Sequence, residues 1–281
     1  MYNIFIKGDY MSKLNVFVGA ICFLVFIAST VLYFLFDEFA FAFYMIVALI
    51  IAVNFIIRRN EREKFNSLLV SYTLSCDIDG YIENLNRYQK RFFQTKNVKI
   101  MYDLYKAKAY IDKGEFSIAK DYLLRIDNEE KRLNSVATFL YLKTWNDYFY
   151  YTNDLDKMEK TLLKMKDILD HFQKKRNLGE LIQLYCVQEF KYYILNNENM
   201  DKAKDFFLKR KKMMPKMGML IISNEYQLGL ISLMEKDYYS AYNIFKRINS
   251  ISLKDSIKSK VYLLNKSKEY EERLKQYVDI E

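Results

Sequence analysis

From Leu14 to Phe36 the chain runs for 23 residues without a charged side chain, and after Asp37 and Glu38 a second uncharged run extends from Phe39 to Ile57 for 19. A helix rises about 1.5 Å per residue, so the first run would cover roughly 35 Å, enough for a bilayer's hydrocarbon core with some tilt. Two such runs separated by two acidic residues predict a transmembrane helical hairpin over 14–36 and 39–57. A cleaved signal peptide fits the first run poorly, because the run is too long and no small-x-small cleavage site follows it. Lys7 and Lys13 precede the first run, and Arg58, Arg59, Arg62 and Lys64 follow the second. The positive-inside rule then places residues 1–13 and the long remainder on the cytoplasmic side of a cell membrane, with both termini inside. Those last four basic residues are expected to lie against anionic lipid headgroups. Neither run holds an ionisable residue, so the spans are expected to anchor and not to conduct. Ala48 and Ala52 form a small-xxx-small pair on which two copies could pack, which leaves a homo-oligomer open.

Beyond Ile57 the chain changes character. Residues 58–281 carry 42 Lys and Arg against 32 Asp and Glu, a net charge of +10. The whole chain has 7 Gly and 1 Pro, too few for the frequent turns of a sandwich or barrel. Apolar residues recur at intervals of three and four, so 58–281 is expected to be all-α. Reactive groups are scarce. Cys22, Cys76 and Cys186 are isolated, and His171 is the single histidine, beside Asp170 and Lys174. No disulfide framework, metal site or cofactor is expected from them. Glu129-Glu130 and Glu271-Glu272 point about 100° apart on a helix and cannot converge on one substrate. Asp77-Ile78-Asp79-Gly80 resembles the opening of a calcium loop but lacks the later ligands, and reads as an N-cap and turn. No phosphate-binding loop, GxSxG or HExxH occurs. The chain is therefore not expected to be an enzyme, although a site assembled from scattered residues stays open. The clusters Lys174-Lys175-Arg176 and Lys209-Arg210-Lys211-Lys212 read as solvated helix faces. Without a groove-reading element or stacking platform, no nucleic-acid partner is expected. Richness in Lys, Ile, Asn and Tyr is compatible with an AT-rich bacterial genome.

The helical pattern repeats. In Tyr102–Asp127, Ala107, Tyr110 and Ile111 mark one helix face, Gly114-Glu115 a turn, and Ala119, Leu123 and Ile126 the face of a second helix. Tyr226–Ile248 has Gly229 and Ala241 at the same separation, followed by Phe245 and Ile248. A partial unit carries Ala203, Phe207 and Pro215, with Lys191 where the first small residue would stand. Looser units place Met158 and Tyr81 in the second small position. Tyr81, Ala119, Met158, Ala203 and Ala241 are separated by 38, 39, 45 and 38 residues. The two strong units resemble the tetratricopeptide repeat, whose period is about 34 residues. The expected fold is a membrane hairpin followed by an α-solenoid of about five antiparallel helix pairs and a C-terminal capping helix. The resemblance implies a concave groove lined by first helices. Its positions here would be Lys108, Lys143, Asp147, Tyr150, Tyr151, Gln188, Tyr192, Asn196 and Tyr226. It also implies a protein or peptide partner, and hence a membrane-anchored scaffold module facing the cytoplasm. The competing expectation is an accessory subunit of a membrane transport or secretion complex, held through its transmembrane helices.

Overall fold

The computed structural model describes residues 39–89, 96–129, 133–171, 178–214 and 218–278, together with Ile27 and Thr30. The N-terminal lysines, the rest of the run Leu14–Phe36, the Lys174-Lys175-Arg176 cluster and Pro215 lie outside them. Every described element is helical. In order they are α1 (Phe39–Ser75), α2 (Ile78–Gln89), α3 (Lys96–Lys113), α4 (Phe116–Asp127), α5 (Ser135–Thr152) and α6 (Leu155–His171). There follow α7 (Leu178–Asn196), α8 (Met200–Lys212), α9 (Met219–Met234), α10 (Tyr238–Asn249), the short α11 (Asp255–Lys258) and α12 (Tyr262–Val278).

The chain divides into two compact units between Leu69 and Val70. Helix α1 continues unbroken from the apolar run to Ser75 as one helix of 37 residues. Within 39–57, side chains are described at 47–49, 51, 52 and 55, and Val47, Leu49, Ile51 and Phe55 are exposed. Among residues described in full, no helix is long and apolar enough to cross a membrane.

The second unit is a stack of antiparallel helix pairs joined in sequence, with one local grammar. Tyr81, Ala119, Met158, Ala203 and Ala241 each occupy the fourth position of their helix and are essentially inaccessible. The residue four places on, Leu85, Leu123, Leu162, Phe207 or Phe245, is buried as well, one turn along the same face. The turns repeat too. Cys76, Gly114, Asn153, Asn197 and Lys236 all have φ between 56° and 85°, the left-handed conformation that ends a helix. In the last four, the next N–H reaches back to the carbonyl five residues earlier, as in Glu115 to Tyr110 and Asp237 to Ser232. Asp77, Asp154 and Asp237 then cap the second helix, their carboxylates accepting from the N–H groups of Gly80, Lys157 and Ser240. The Asp77-Ile78-Asp79-Gly80 segment is thus the cap and turn that its sequence suggests.

Outside the pairs, the first helices touch one another in series: α3 with α5, α5 with α7, α7 with α9, and α9 with α12. The row then returns on itself, because α12 also meets α3. Gly114 makes this closure possible, since a Cβ there would stand 2.8 Å from the Tyr262 ring. Phe116 packs edge-on to Tyr262 at 5.1 Å, and Asp79 pairs with both Lys113 and Lys260. The C-terminal helix is therefore more than a polar cap over an open end.

Candidate functional site

Side chains three and four apart on a helix share a face. On α5 this rule gathers Lys143, Asp147, Tyr150 and Tyr151 on one side, on α3 it pairs Lys108 with Asp112, and on α7 it pairs Gln188 with Lys191. The returning row turns these faces toward a common centre. Asp147 is 1% exposed and stands at its heart. Lys143 Nζ lies 2.6 Å from its Oδ2, while Lys191 Nζ at 2.7 Å and Gln188 Nε2 at 3.0 Å share its Oδ1. Asp112 receives Lys108 Nζ on one oxygen and the Tyr72 hydroxyl on the other.

Aromatic rings wall this polar centre. Lys191 Nζ sits 5.0 Å from the Tyr150 ring centroid and 5.6 Å from that of Tyr151. At such distances a ring's negative face attracts an ammonium. Tyr151 packs against Tyr262 at 5.3 Å, and the Tyr150 hydroxyl donates to Gln227 Oε1 at 2.8 Å. Tyr226 is buried between Phe245 and Tyr270, at 5.9 and 6.2 Å.

The electrostatics follow from burial and lysine. Burial alone would raise the carboxyl pKa of Asp147, but the ammonium groups of Lys143, Lys191 and Lys108 overturn it and hold the group well below the usual carboxylate range. Asp147 is thus an ion. Burial lowers Lys191, against the pull of Asp147. Burial, and then the charges of Asp112 and Asp147, push the Tyr151 phenol well above its ordinary value, so it stays neutral. Two buried amides keep atoms without partners among the described residues, the Gln188 carbonyl oxygen and the Gln227 amide nitrogen. Asn146, also buried, has partners among the described residues for neither side-chain atom; nothing in the structure explains it.

Of the nine groove positions expected from sequence, Lys108, Lys143, Asp147, Tyr150, Tyr151 and Gln188 come together here, and Tyr226 lies in the adjoining aromatic layer. Tyr192 and Asn196 do not join them. Tyr192 is half-buried beside Tyr193 and near Glu159 and Glu198, and exposed Asn196 donates to Glu198 at 2.7 Å. Both lie where α7 runs out toward its turn, displaced from Lys191 by the helix's own rotation. Sequence reasoning missed Asp112, Lys191, Gln227 and Tyr262 as members of the centre. Asp112 was legible as the i+4 partner of Lys108. Lys191 was legible as a lysine in a slot built for a small residue.

The basic residues after the second apolar run are placed in part. Arg59 Nε is 2.9 Å from Glu63 on the next turn, and Lys64 is exposed, while the side chains of Arg58 and Arg62 lie outside the described residues. A second ionic tie is structural. Buried Glu225 on α9 receives Lys211 of α8 at 2.6 Å and Arg247 of α10, fastening three helices. Among the described residues no cluster of His, Cys, Asp and Glu has the make-up of a metal site. No family model matches the chain, and neither a curated protein nor a solved structure matches it.

Proposed function

We propose that this protein is a membrane-anchored, cytoplasm-facing helical-repeat module of tetratricopeptide-like design that binds a peptide or protein segment along its first helices. One observation carries the reading: the inner row turns lysines, aspartates, amides and tyrosines toward one centre, where a stack selected for stability alone would place Leu and Ile. Burying ions costs several kcal/mol each before pairing recovers it, so such a lining suits recognition better than packing. Tyrosine anchors beside charged groups are the residues from which interface hot spots are built. The uncharged runs 14–36 and 39–57 would tether the module to the membrane, with Arg58, Arg59, Arg62 and Lys64 at anionic headgroups, raising the effective concentration of whatever it holds.

Exposed Val47, Leu49, Ile51 and Phe55 on α1 favour a second reading, an accessory subunit of a transport or secretion complex held through its apolar helices. A photo-crosslinking residue in full-length protein separates the two. Placed at Tyr151, it should yield a protein or peptide adduct in native membranes. An adduct formed from Leu49 and none from Tyr151 would move the function to the apolar helix and overturn the groove.

A further inference from the structure

We infer that the last turns of α8 form a second membrane contact, a docking surface for anionic phospholipid headgroups. On it Lys209 and Lys212 take headgroup phosphates, while Leu208 and Met213 enter the edge of the acyl layer. The inference rests on the membrane-anchored reading above, and it gives the Lys209-Arg210-Lys211-Lys212 cluster a role beyond that of a solvated helix face.

Local spacing builds the surface. Leu208 and Lys212 stand four residues apart, as do Lys209 and Met213, so each apolar side chain shares a face with a lysine. All four are exposed, and at 71% Met213 is the most exposed large hydrophobic among the described residues. A lysine can lay its stem along apolar surface and hold its ammonium at the headgroups. Helices that lie at a bilayer interface carry this pattern. Charge is also out of balance here. Lys209 pairs with Asp205 at 2.7 Å, while Lys211 at 2.6 Å and Arg247 share Glu225. Both members of the Lys209–Asp205 pair are exposed, and such a pair holds weakly. Arg210 donates to the neutral Asn224 amide at 3.3 Å, and neither it nor Lys212 has a carboxylate partner among the described residues. Burial alone brings the Arg210 guanidinium down to about 10, so it stays charged at neutral pH. Five cations thus share two carboxylates around the end of α8.

A basic last turn by itself answers the helix dipole, but the dipole does not call for Leu and Met on the same face. Helix α6 shows the contrast. Its exposed Leu163 has Glu159 and Asp167 four residues to either side, and Lys160 and Lys166 three to either side. That face is balanced in charge and suits water. A soluble polyanion would use the lysines of α8 and leave Leu208 and Met213 wet, whereas an anionic bilayer engages both kinds of side chain. Asp205 stands one turn back from Lys209 and marks the edge of the surface.

The test uses full-length protein in nanodiscs, one set of phosphatidylcholine alone and one of an equal mixture with phosphatidylglycerol. A photo-crosslinking residue in place of Met213 should label phospholipid about tenfold more in the anionic discs. The same residue in place of Leu163 should label little in either. Lys212→Gln should lower the anionic label about fivefold, the factor that one surface charge is worth, and high salt should lower it further. All the replaced side chains are exposed, so folding is not at stake. Equal label in the two discs would overturn a headgroup surface, and no lipid label in either would overturn the contact itself. In native membranes, a protein or nucleic-acid adduct from position 213 in place of lipid would overturn it too. Co-elution with the phosphatidylcholine discs reads the anchor separately. Co-elution without label sinks this inference alone, and failure to join either disc sinks the anchor with it. Joining and labelling only the anionic discs would keep this surface and remove the anchor.

Discussion

The pair α3–α4 and the pair α5–α6 hold equivalent places in the stack, yet they close by different means. In the first, the two small-residue slots hold Ala107 and Ala119, both fully buried. In the second, the same two slots hold Asn146 and Met158, also fully buried. The contrast recurs farther along. Gly229 and Ala241 close α9–α10 tightly, with the Phe245 ring over the glycine, whereas Lys191 and Ala203 occupy those slots in α7–α8. The central pairs hold polar residues in the same slots, Asn146 and a Lys191 that reaches Asp147.

Breaking the polar side of this contrast should have the largest effect. Asp147→Ala leaves Lys143 and Lys191 without their carboxylate and should cost about 3–5 kcal/mol in chemical denaturation. Its pH signature has a definite sign. The folded-state pKa of Asp147 is depressed, so its contribution is complete above the unfolded carboxyl value of about 3.9 and is lost as pH falls through the folded value. The stability gap between wild type and Asp147→Asn should be flat from about pH 7 to 5 and shrink below about pH 4.

Gly229→Ala strikes the apolar side. Its Cβ would lie 2.7 Å from Phe245 Cζ, and that ring is fully buried. Overpacking of about 1–3 kcal/mol should outweigh the gain in helix propensity, about 1 kcal/mol. A net rise in stability would mean that the Phe245 ring yields easily. Gly114→Ala combines a residue at φ +85° with a Cβ against Tyr262. It should cost about 1–2 kcal/mol, and hydrogen exchange should quicken first in α12, whose contact with α3 depends on that turn.

Asn146→Ala should reverse the usual sign. It removes two orphaned polar atoms and installs the small residue found in the apolar pairs, so a gain of about 1 kcal/mol is expected. A loss would mean that the amide is satisfied by a buried water or ligand. Smallest of all, Tyr192→Ala and Asn196→Ala, outside the centre, should leave stability within about 0.5 kcal/mol and any peptide binding unchanged.

Much of this is legible in the sequence. Ala119-Leu123-Ile126 and Ala241-Phe245-Ile248 named the buried faces of two second helices, and the twelve-residue step back to Ala107 and Gly229 named their partners. Even Tyr81 and Met158, poor matches by residue type, fell on the same helix position as the alanines. A capped helix start, a left-handed turn residue and i, i+4 burial are local matters, and local geometry is written in local sequence.

The centre was legible only in its members. Lys143 and Asp147 declare themselves as an i, i+4 pair, but the contact of Lys191 with Asp147 spans 44 residues and that of Tyr150 with Gln227 spans 77. Sequence by itself determined which residues form helices, which faces those helices bury and how the pairs repeat. Tertiary structure alone decided that the row of first helices returns on itself through α12, and therefore that a set of exposed-looking lysines and tyrosines becomes one enclosed polar centre. The reason is physical: the contacts that close the row join residues far apart in sequence, and no single pair encodes where the others will stand.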